Sequence, residues 1–503
     1  VVQRRFFTSG SGSGGPPGRR VELSPEDFGA KCDGRAVDAV SIAESSANLT
    51  ATGAAFTAAD VGKTIAVYGA GLQAHGFAHV TTIASVQSAT AVTLTAPAAG
   101  TVAASRAVYG TDDSVAIEAA IAEIVTRGIT DRSYAGRLWC SNGIYMLTRA
   151  PQLGGAYNSH AQVRIPTIAD TAQKFDLGIV AGSAGGTFGH WNQTVPQKAG
   201  AVFYSTSVGV ASDGTYGPPC MVAGPTPTAA TWSNMLLTVD GLQFVAQRNP
   251  GLTALHAGRI GQLHIKSLGV VADMTPAEMN VAALTNDLGL GVRVPAVGNN
   301  HYVMIDRLAV EGFYYGMTIT DHLTAGTLVM VYCNTAIFVS SGGAAEHGVT
   351  IANLGVEASS TVIEGSFSSD ARFPIFVGQC NIETSEGTTF KDTNSGFVGT
   401  INFSDNTRAA PTTTGCNNVK IVDLVRPPGA VAAPDTPAVP ATTVALKNPF
   451  FRDAFVHVAG GTVTAIAVDG RTTGVTSGMV AVPNAKTIAI THSSAPTWVW
   501  TLL

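Results

Sequence analysis

The chain has 503 residues, of which 13% are charged and 56 are glycine, and its formal net charge is −5. Soluble domains average about 25% charged residues and roughly 7% glycine, so coiled coils and helical bundles, which need charged outer faces, are excluded. The charge balance gives no basic footprint for nucleic acid, and despite a mean hydropathy of +0.23 no uninterrupted apolar run is long enough for membrane insertion.

Residues 1–20 are largely Gly, Ser, Pro and Arg around Phe6 and Phe7 and read as a flexible or docked N-terminal arm. Val1 to Gly18 lacks the apolar stretch of a secretory signal, so work outside the producing cell implies another exit, such as lysis. Residues 21–160 form an N-terminal cap region. Within it, KTIAVYG from Lys63, VTTIASV from Val80 and AVTLT from Ala91 alternate in the manner of strands and define an inserted β-module over 35–109. GTDDSVAIEAAIAEIVTRG then places Ile117, Ala120, Ile121, Ile124 and Val125 on one helical stripe, with Thr111 or Asp112 as N-cap and Gly128 as stop. Asp112 and Asp113 accordingly read as capping residues that complement the helix dipole, in preference to catalytic ones.

Residues 161–426 hold a recurring eight-residue pattern, apolar at its first, third, sixth and eighth positions. Copies begin at Leu237, Leu263, Val303, Leu328, Val349, Ile375, Val398 and Val419, with one insertion over 273–297. A strand, a bend and a second strand every ~20–27 residues is about one turn of a parallel β-solenoid. The sixth position reads Leu242, Leu268, Leu308, Cys333, Leu354, Cys380, Phe403 and Leu424 and is expected inside. Cys333 and Cys380 would then lie two rungs apart, about 10 Å, and stay free thiols. The six cysteines show no metal-ligand spacing, so no metal and no cofactor is expected. Residues 427–447 carry several prolines and read as a linker, and 448–503 alternate again as a small C-terminal β-sandwich tip.

DFGAKCDG at 27–34 and GTDDSVAIEAAI at 110–121 resemble the two halves of the signature that opens pectate-lyase-like right-handed β-helix proteins, and RLWCSNGIYMLT at 137–148 resembles the strand and turn that follow. Two departures stand out: Cys32 replaces a glycine, and 35–109 separates halves that are usually almost contiguous. The inserted module is similar to inserts in phage tail proteins, while GGTVTAIAVDG and APTWVW resemble the small C-terminal domain of tail fibres from phages of actinobacteria. The fold class so implied is all-β: a right-handed parallel β-helix with an N-terminal capping helix and a small C-terminal β-sandwich. The resemblance also implies a homotrimer of the tail-fibre or tailspike type, located in the virion. Its N-terminal region would join other virion tail proteins and its body would meet a host surface glycan. The family includes polysaccharide depolymerases, so a glycoside hydrolase or lyase on the same scaffold is the alternative.

Glycan hydrolysis needs two carboxylates about 5 to 9.5 Å apart, and in the repeat only Asp240 and Asp306 approach that. With Lys266 between them they read more simply as an alternating charge ladder. Trp191, Tyr314 and Tyr315 are the candidate glycan-binding aromatics, with Glu311 and Asp321-His322 nearby, although Tyr314 and Tyr315 also suit the next strand of their coil. Val331, Ile401 and Val422 at the fourth position, with Val329 and Phe376 at the second, form an outward apolar strip expected to be the trimer interface.

Overall fold

The computed structural model describes residues 20–71, 78–149, 161–169, 173–181, 200–206, 219–224, 232–246, 253–273, 289–294, 302–319, 322–340, 348–366, 373–383, 390–392, 397–405, 413–414, 418–425, 436–449, 453–483 and 486–502. Its body is a right-handed parallel β-helix with three walls. Ala135–Cys140, Phe175–Ala181 and the leading part of Ser233–Ala246 stack in parallel as the first wall. Gly143–Leu147, Ala201–Ser205 and the trailing part of Ser233–Ala246 stack as the second, so from Ser233 onward one bent strand serves both walls. A separate nine-stranded parallel sheet, from Val163–Arg164 through Thr253–Ala257 and Tyr315–Ile319 to Thr413–Thr414, is the third. Parallel crossovers between such strands are right-handed because the twisted strand packs back onto its sheet only in that sense.

Register fixes the interior. Leu237, Leu263 and Val303 pair in sequence, as do Leu242, Leu268 and Leu308, and all are buried. The next rung departs from the sequence alignment: Val303 pairs with Leu323 and Leu308 with Leu328, so that copy begins at Leu323, five residues earlier than its apolar pattern suggests. The physical reason is LTAG at 323–326, whose third position is the small Ala325 and whose fourth is Gly326; a Cβ on Gly326 would lie 2.7 Å from the Asp306 carbonyl oxygen. A weak apolar pattern there let the stronger one at 328 take its place. One rung near the end also shifts: Ile375 pairs with Gly399, not Val398, and a bulge restores Cys380 opposite Phe403.

Cys380 therefore occupies the interior column beside Leu354, whereas Cys333 sits at a corner between walls. Both are buried free thiols, and burial pushes Cys333 up to about 12. That corner is a stack of left-handed residues, Gly312, Tyr332 and Ala358 (φ +84°, +50° and +47°), each donating its N–H to the carbonyl one rung on, at Val331, Glu357 and Glu383. Phe313, Cys333 and Ser359 then turn inward.

The capping helix, Ser114–Thr130, buries all five residues of the expected stripe. Its N-cap is Asp113, and it runs past Gly128, which lies inside the last turns because a Cβ there would meet the Phe175 ring at 2.6 Å. The inserted module is a closed six-stranded barrel. Its first strand, Arg35–Ile42, pairs with its last, Val102–Gly110, with Arg35 opposite Tyr109, so the chain enters and leaves at one point. This brings the divided signature together: Asp33 accepts hydrogen bonds from the Thr111 N–H (2.8 Å) and hydroxyl (3.1 Å).

The C-terminal β-sandwich packs Ala454–Ala459, Gly478–Val482 and Thr497–Leu502 against a second sheet of Leu446–Lys447, Thr462–Val468, Arg471–Thr472 and Thr487–Ser494. It starts before the boundary read from sequence. Leu446–Lys447 is a strand of the sandwich, and Trp498 Nε1–H donates to the Pro437 carbonyl at 2.6 Å, so part of the proline-rich stretch lies against the domain.

Candidate functional site

The outer face of the first wall carries an exposed polar and aromatic group on three consecutive coils. Tyr302 begins the strand Tyr302–Glu311 opposite Gln262 and is 62% exposed. Its ring stands edge-on to His322, 6.0 Å between centroids. His322 is held in the left-handed region (φ +56°), and its carbonyl accepts the N–H of Val303. One coil back, His264 projects outward beside the buried Leu263 and Ile265, and its Nε2 lies 3.2 Å from Asp306 Oδ2. Asp306 is two residues past Met304, the backbone partner of His264, and its side chain is 60% exposed. A free tyrosine face, two imidazoles and a carboxylate thus share one surface, a combination suited to stacking on a pyranose ring and bonding its hydroxyls.

Of the two carboxylates proposed from sequence, Asp306 belongs to this surface. Asp240 does not pair with Lys266: a register shift places it opposite Ser267, which breaks the simple alternating charge ladder. Tyr302 and His264 carry no mark in the sequence because both alternate with buried neighbours as ordinary outward residues do; only register brings His264 to Asp306 and His322 to Tyr302.

Tyr314 and Tyr315 lie at the start of a third-wall strand, Tyr315–Ile319. Their rings meet edge-on at 4.6 Å, Tyr315 contacts Phe338 at 5.0 Å, and both tyrosines are half-buried. Their faces are largely used by one another. Beside them Glu364 accepts from the Thr335 hydroxyl (3.1 Å) and pairs with Lys391 (2.7 Å). Trp191 and Asp321 lie outside the described residues.

The corrected register dissolves the apolar strip. Val331 pairs with Glu311 and Glu357, Val329 with Ala309 and Gly355, and Phe376 with Thr350, which are three different columns. Ile401 takes the register of Val377, which is itself buried. Val422 lies in Asn418–Val425, and its side chain is outside the described residues. Val329 and Phe376 remain exposed, 37% and 46%, but on separate parts of the bent strands.

In place of the strip, register reveals an acidic column. Glu311, Val331, Glu357 and Glu383 pair in that order at the end of the bent sheet. At about 4.8 Å per rung, Glu357 and Glu383 are one step apart and Glu311 and Glu357 two. Tyr332 stands beside them, and burial, then Glu357 and Glu311, raise its hydroxyl above the usual tyrosine range. In the sequence each of the three glutamates directly follows an eight-residue copy, those starting at Val303, Val349 and Ile375, and the corrected rung sets Val331 between the first two.

No protein-family model matches the sequence, and no curated protein matches it. Among solved structures the chain is similar to the Gp54 tailspike of Acinetobacter baumannii bacteriophage AP22, solved in complex with A. baumannii capsular saccharide. The alignment covers 96% of this chain and 83% of that one, at 8% identity and a TM-score of 0.24.

Proposed function

We propose that this protein is a phage tail fibre or tailspike that attaches to a host cell-surface glycan, with the sugar held on the outer face of the solenoid at Tyr302, His322, His264 and Asp306. The observation that carries this reading is the exposure of Tyr302 edge-on to His322, on the same outward face as the His264–Asp306 pair. A rigid ladder of parallel coils presents such a surface without reorganisation, and three copies in a homotrimer would multiply weak sugar contacts by avidity. Support for the tail-fibre type comes from the divided N-terminal signature and the resemblance of the C-terminal module; the N-terminal region would then join the other tail proteins of the virion.

The test is binding of the purified protein to envelope polysaccharide from candidate hosts, measured for wild type and Tyr302→Ala. A loss of roughly tenfold in the variant, from the stacking it removes, is the expected result. Unchanged binding moves the site elsewhere, and a monomer by light scattering overturns the trimer.

The acidic column favours a second reading, a polysaccharide depolymerase. Glu357 and Glu383 stand on adjacent rungs, about 5 Å apart along the backbone ladder and near the spacing of a retaining pair, while Glu311 at the other end of the column is buried. New reducing ends released from the bound polysaccharide, and lost in Glu357→Gln, would establish hydrolysis; binding without product leaves the attachment reading alone.

A further inference from the structure

The capping helix Ser114–Thr130 carries a second apolar stripe on the side away from the core. Val115, Ala119, Ala122, Thr126 and Ile129 recur at steps of four, three, four and three, which sets them on one narrow face of an α-helix. Val115 is 60% exposed and Ile129 43%, and Ala119 and Thr126 between them are exposed as well. The Thr126 hydroxyl donates to the Ala122 carbonyl at 2.9 Å, so its polar atom is turned onto the backbone and its methyl group is left for the stripe. Charges flanking the stripe are matched within the chain: Glu118 with Arg149 and Arg164 on one side, Glu123 with Arg127 (2.6 Å) on the other. The outer face of a capping helix is ordinarily polar; this one calls for an apolar occupant.

Residues 1–19 can supply it. Their aromatic pair, Phe6 and Phe7, is followed by a run rich in Gly, Ser and Pro that leads to Val21. The chain enters the body beside the helix: Val21 pairs with Gly136, where a Cβ would collide with Ile124 of the helix and lie 3.2 Å from the Val21 carbonyl oxygen. Phe7 lies 14 residues before Val21, a reach of up to about 48 Å, against a helix only about 25 Å long. A face one helix wide offers about 250 Å², well short of the roughly 800 Å² per partner that holds two free proteins together. A tethered segment needs far less, because its effective concentration is in the millimolar range. We propose that Phe6 and Phe7 dock on this stripe, their rings over Ala119 and Ala122, where the smaller side chains leave a saddle between Val115 and Ile129. Docking covers the stripe and fixes the point from which the N-terminal region leaves the body. It uses no residue of the Tyr302 surface, so the two proposals stand or fall separately.

The experiment places the photo-crosslinker p-benzoylphenylalanine at Phe6 of the full chain and maps the products by mass spectrometry, alone and combined with Ala119→Lys or Ile129→Lys. Ala119 and Ile129 are both exposed and lysine is a good helix former, so neither change empties the core, and circular dichroism checks the fold. The chain without either lysine is expected to cross-link internally to a peptide of the capping helix. Each variant should lower that yield several-fold. In the chain with its native Phe6, each should also speed trypsin cleavage after Arg5 roughly tenfold, since cleavage tracks the open population of the arm. Absence of the cross-link overturns the proposal, as does a cross-link to another part of the chain or between two copies. So does a yield or a cleavage rate that stays unchanged in either variant.

Discussion

The N-terminal cap and the stacked coils that follow solve one problem, the satisfaction of buried backbone groups, by different means. In the described strands from Tyr302 to Glu383, backbone groups pair with the next rung, and columns such as Leu308, Leu328, Leu354 and Cys380 supply the burial. In the cap, a helix and a barrel interrupt the ladder, and carboxylates take over. Asp113 accepts the N–H groups of Lys31 (2.6 Å) and Met146 (3.2 Å), and Asp112 those of Ser114 (3.1 Å) and Thr148 (3.0 Å). Glu118 ties the helix to Arg149 (2.7 Å) and Arg164 (2.8 Å). Lys63 bridges Asp33 and Asp60, both at 2.8 Å, and Arg106 of the barrel reaches Asp273 of the solenoid at 2.7 Å, where Tyr204 O–H also donates. The acids most conspicuous in the sequence are therefore structural, and the coil surface is left for function.

This contrast can be broken experimentally, beginning with the barrel–solenoid pair. Arg106→Ala leaves the 1%-exposed Asp273 without its cation and should cost about 3–5 kcal/mol in chemical unfolding. The double change Arg106→Met with Asp273→Leu should recover most of that loss, since an orphaned charge is worse than an apolar pair. In the coils, Leu354→Ala should cost about 3 kcal/mol through cavity formation, with hydrogen exchange rising in the rungs that pair with it. In the cap, Asp113→Ala orphans two backbone donors and should cost about 2 kcal/mol, with exchange rising at Lys31 and Met146 instead.

The cap should also respond to pH in a way the coils do not. Burial raises Asp113 from 3.8 to about 6, outweighing the backbone donors that favour its charge. The folded state then holds the proton more tightly than the unfolded one. Its contribution is fully present below about pH 4 and is lost as pH rises through about 6. Asp33, Asp60 and Glu118 act in the opposite sense: burial pushes each up, but Lys63 or the two arginines and backbone donors outweigh it and hold them low, so their contribution is lost in acid. Comparing wild type with Asp113→Asn isolates the first effect. The stability difference should shift against wild type as pH rises from 4 to 6; a flat difference would contradict the assignment. The smallest effect on stability is expected from Tyr302→Ala, within about 0.5 kcal/mol, although it should have the largest effect on glycan binding.

Much of the fold was legible because it rests on local periodicity. The helical stripe at 117–125 and the alternating strands of the inserted module and the terminal sandwich each announce themselves within a few residues. The site was less legible. Asp306 could be singled out as an outward acid, but its partner His264 lies 42 residues away and Tyr302 and His322 are separated by a whole coil. One misplaced rung put Val329 and Val331 into an apolar strip, because a five-residue slip changes every neighbour of that rung while leaving the coil count intact.

By itself the sequence determined the kind of architecture. Sparse charge, abundant glycine and an apolar repeat can bury a large core only by stacking coil on coil. What the tertiary structure alone decided was adjacency: which outward residues share a column, and that a barrel whose first and last strands pair lets a divided signature close on itself. Periodicity along a chain is a local property, fixed by how side chains alternate. Register between rungs is set by turn lengths, bulges and the left-handed corners at Gly312, Tyr332 and Ala358, and function on a solenoid surface is written in that register.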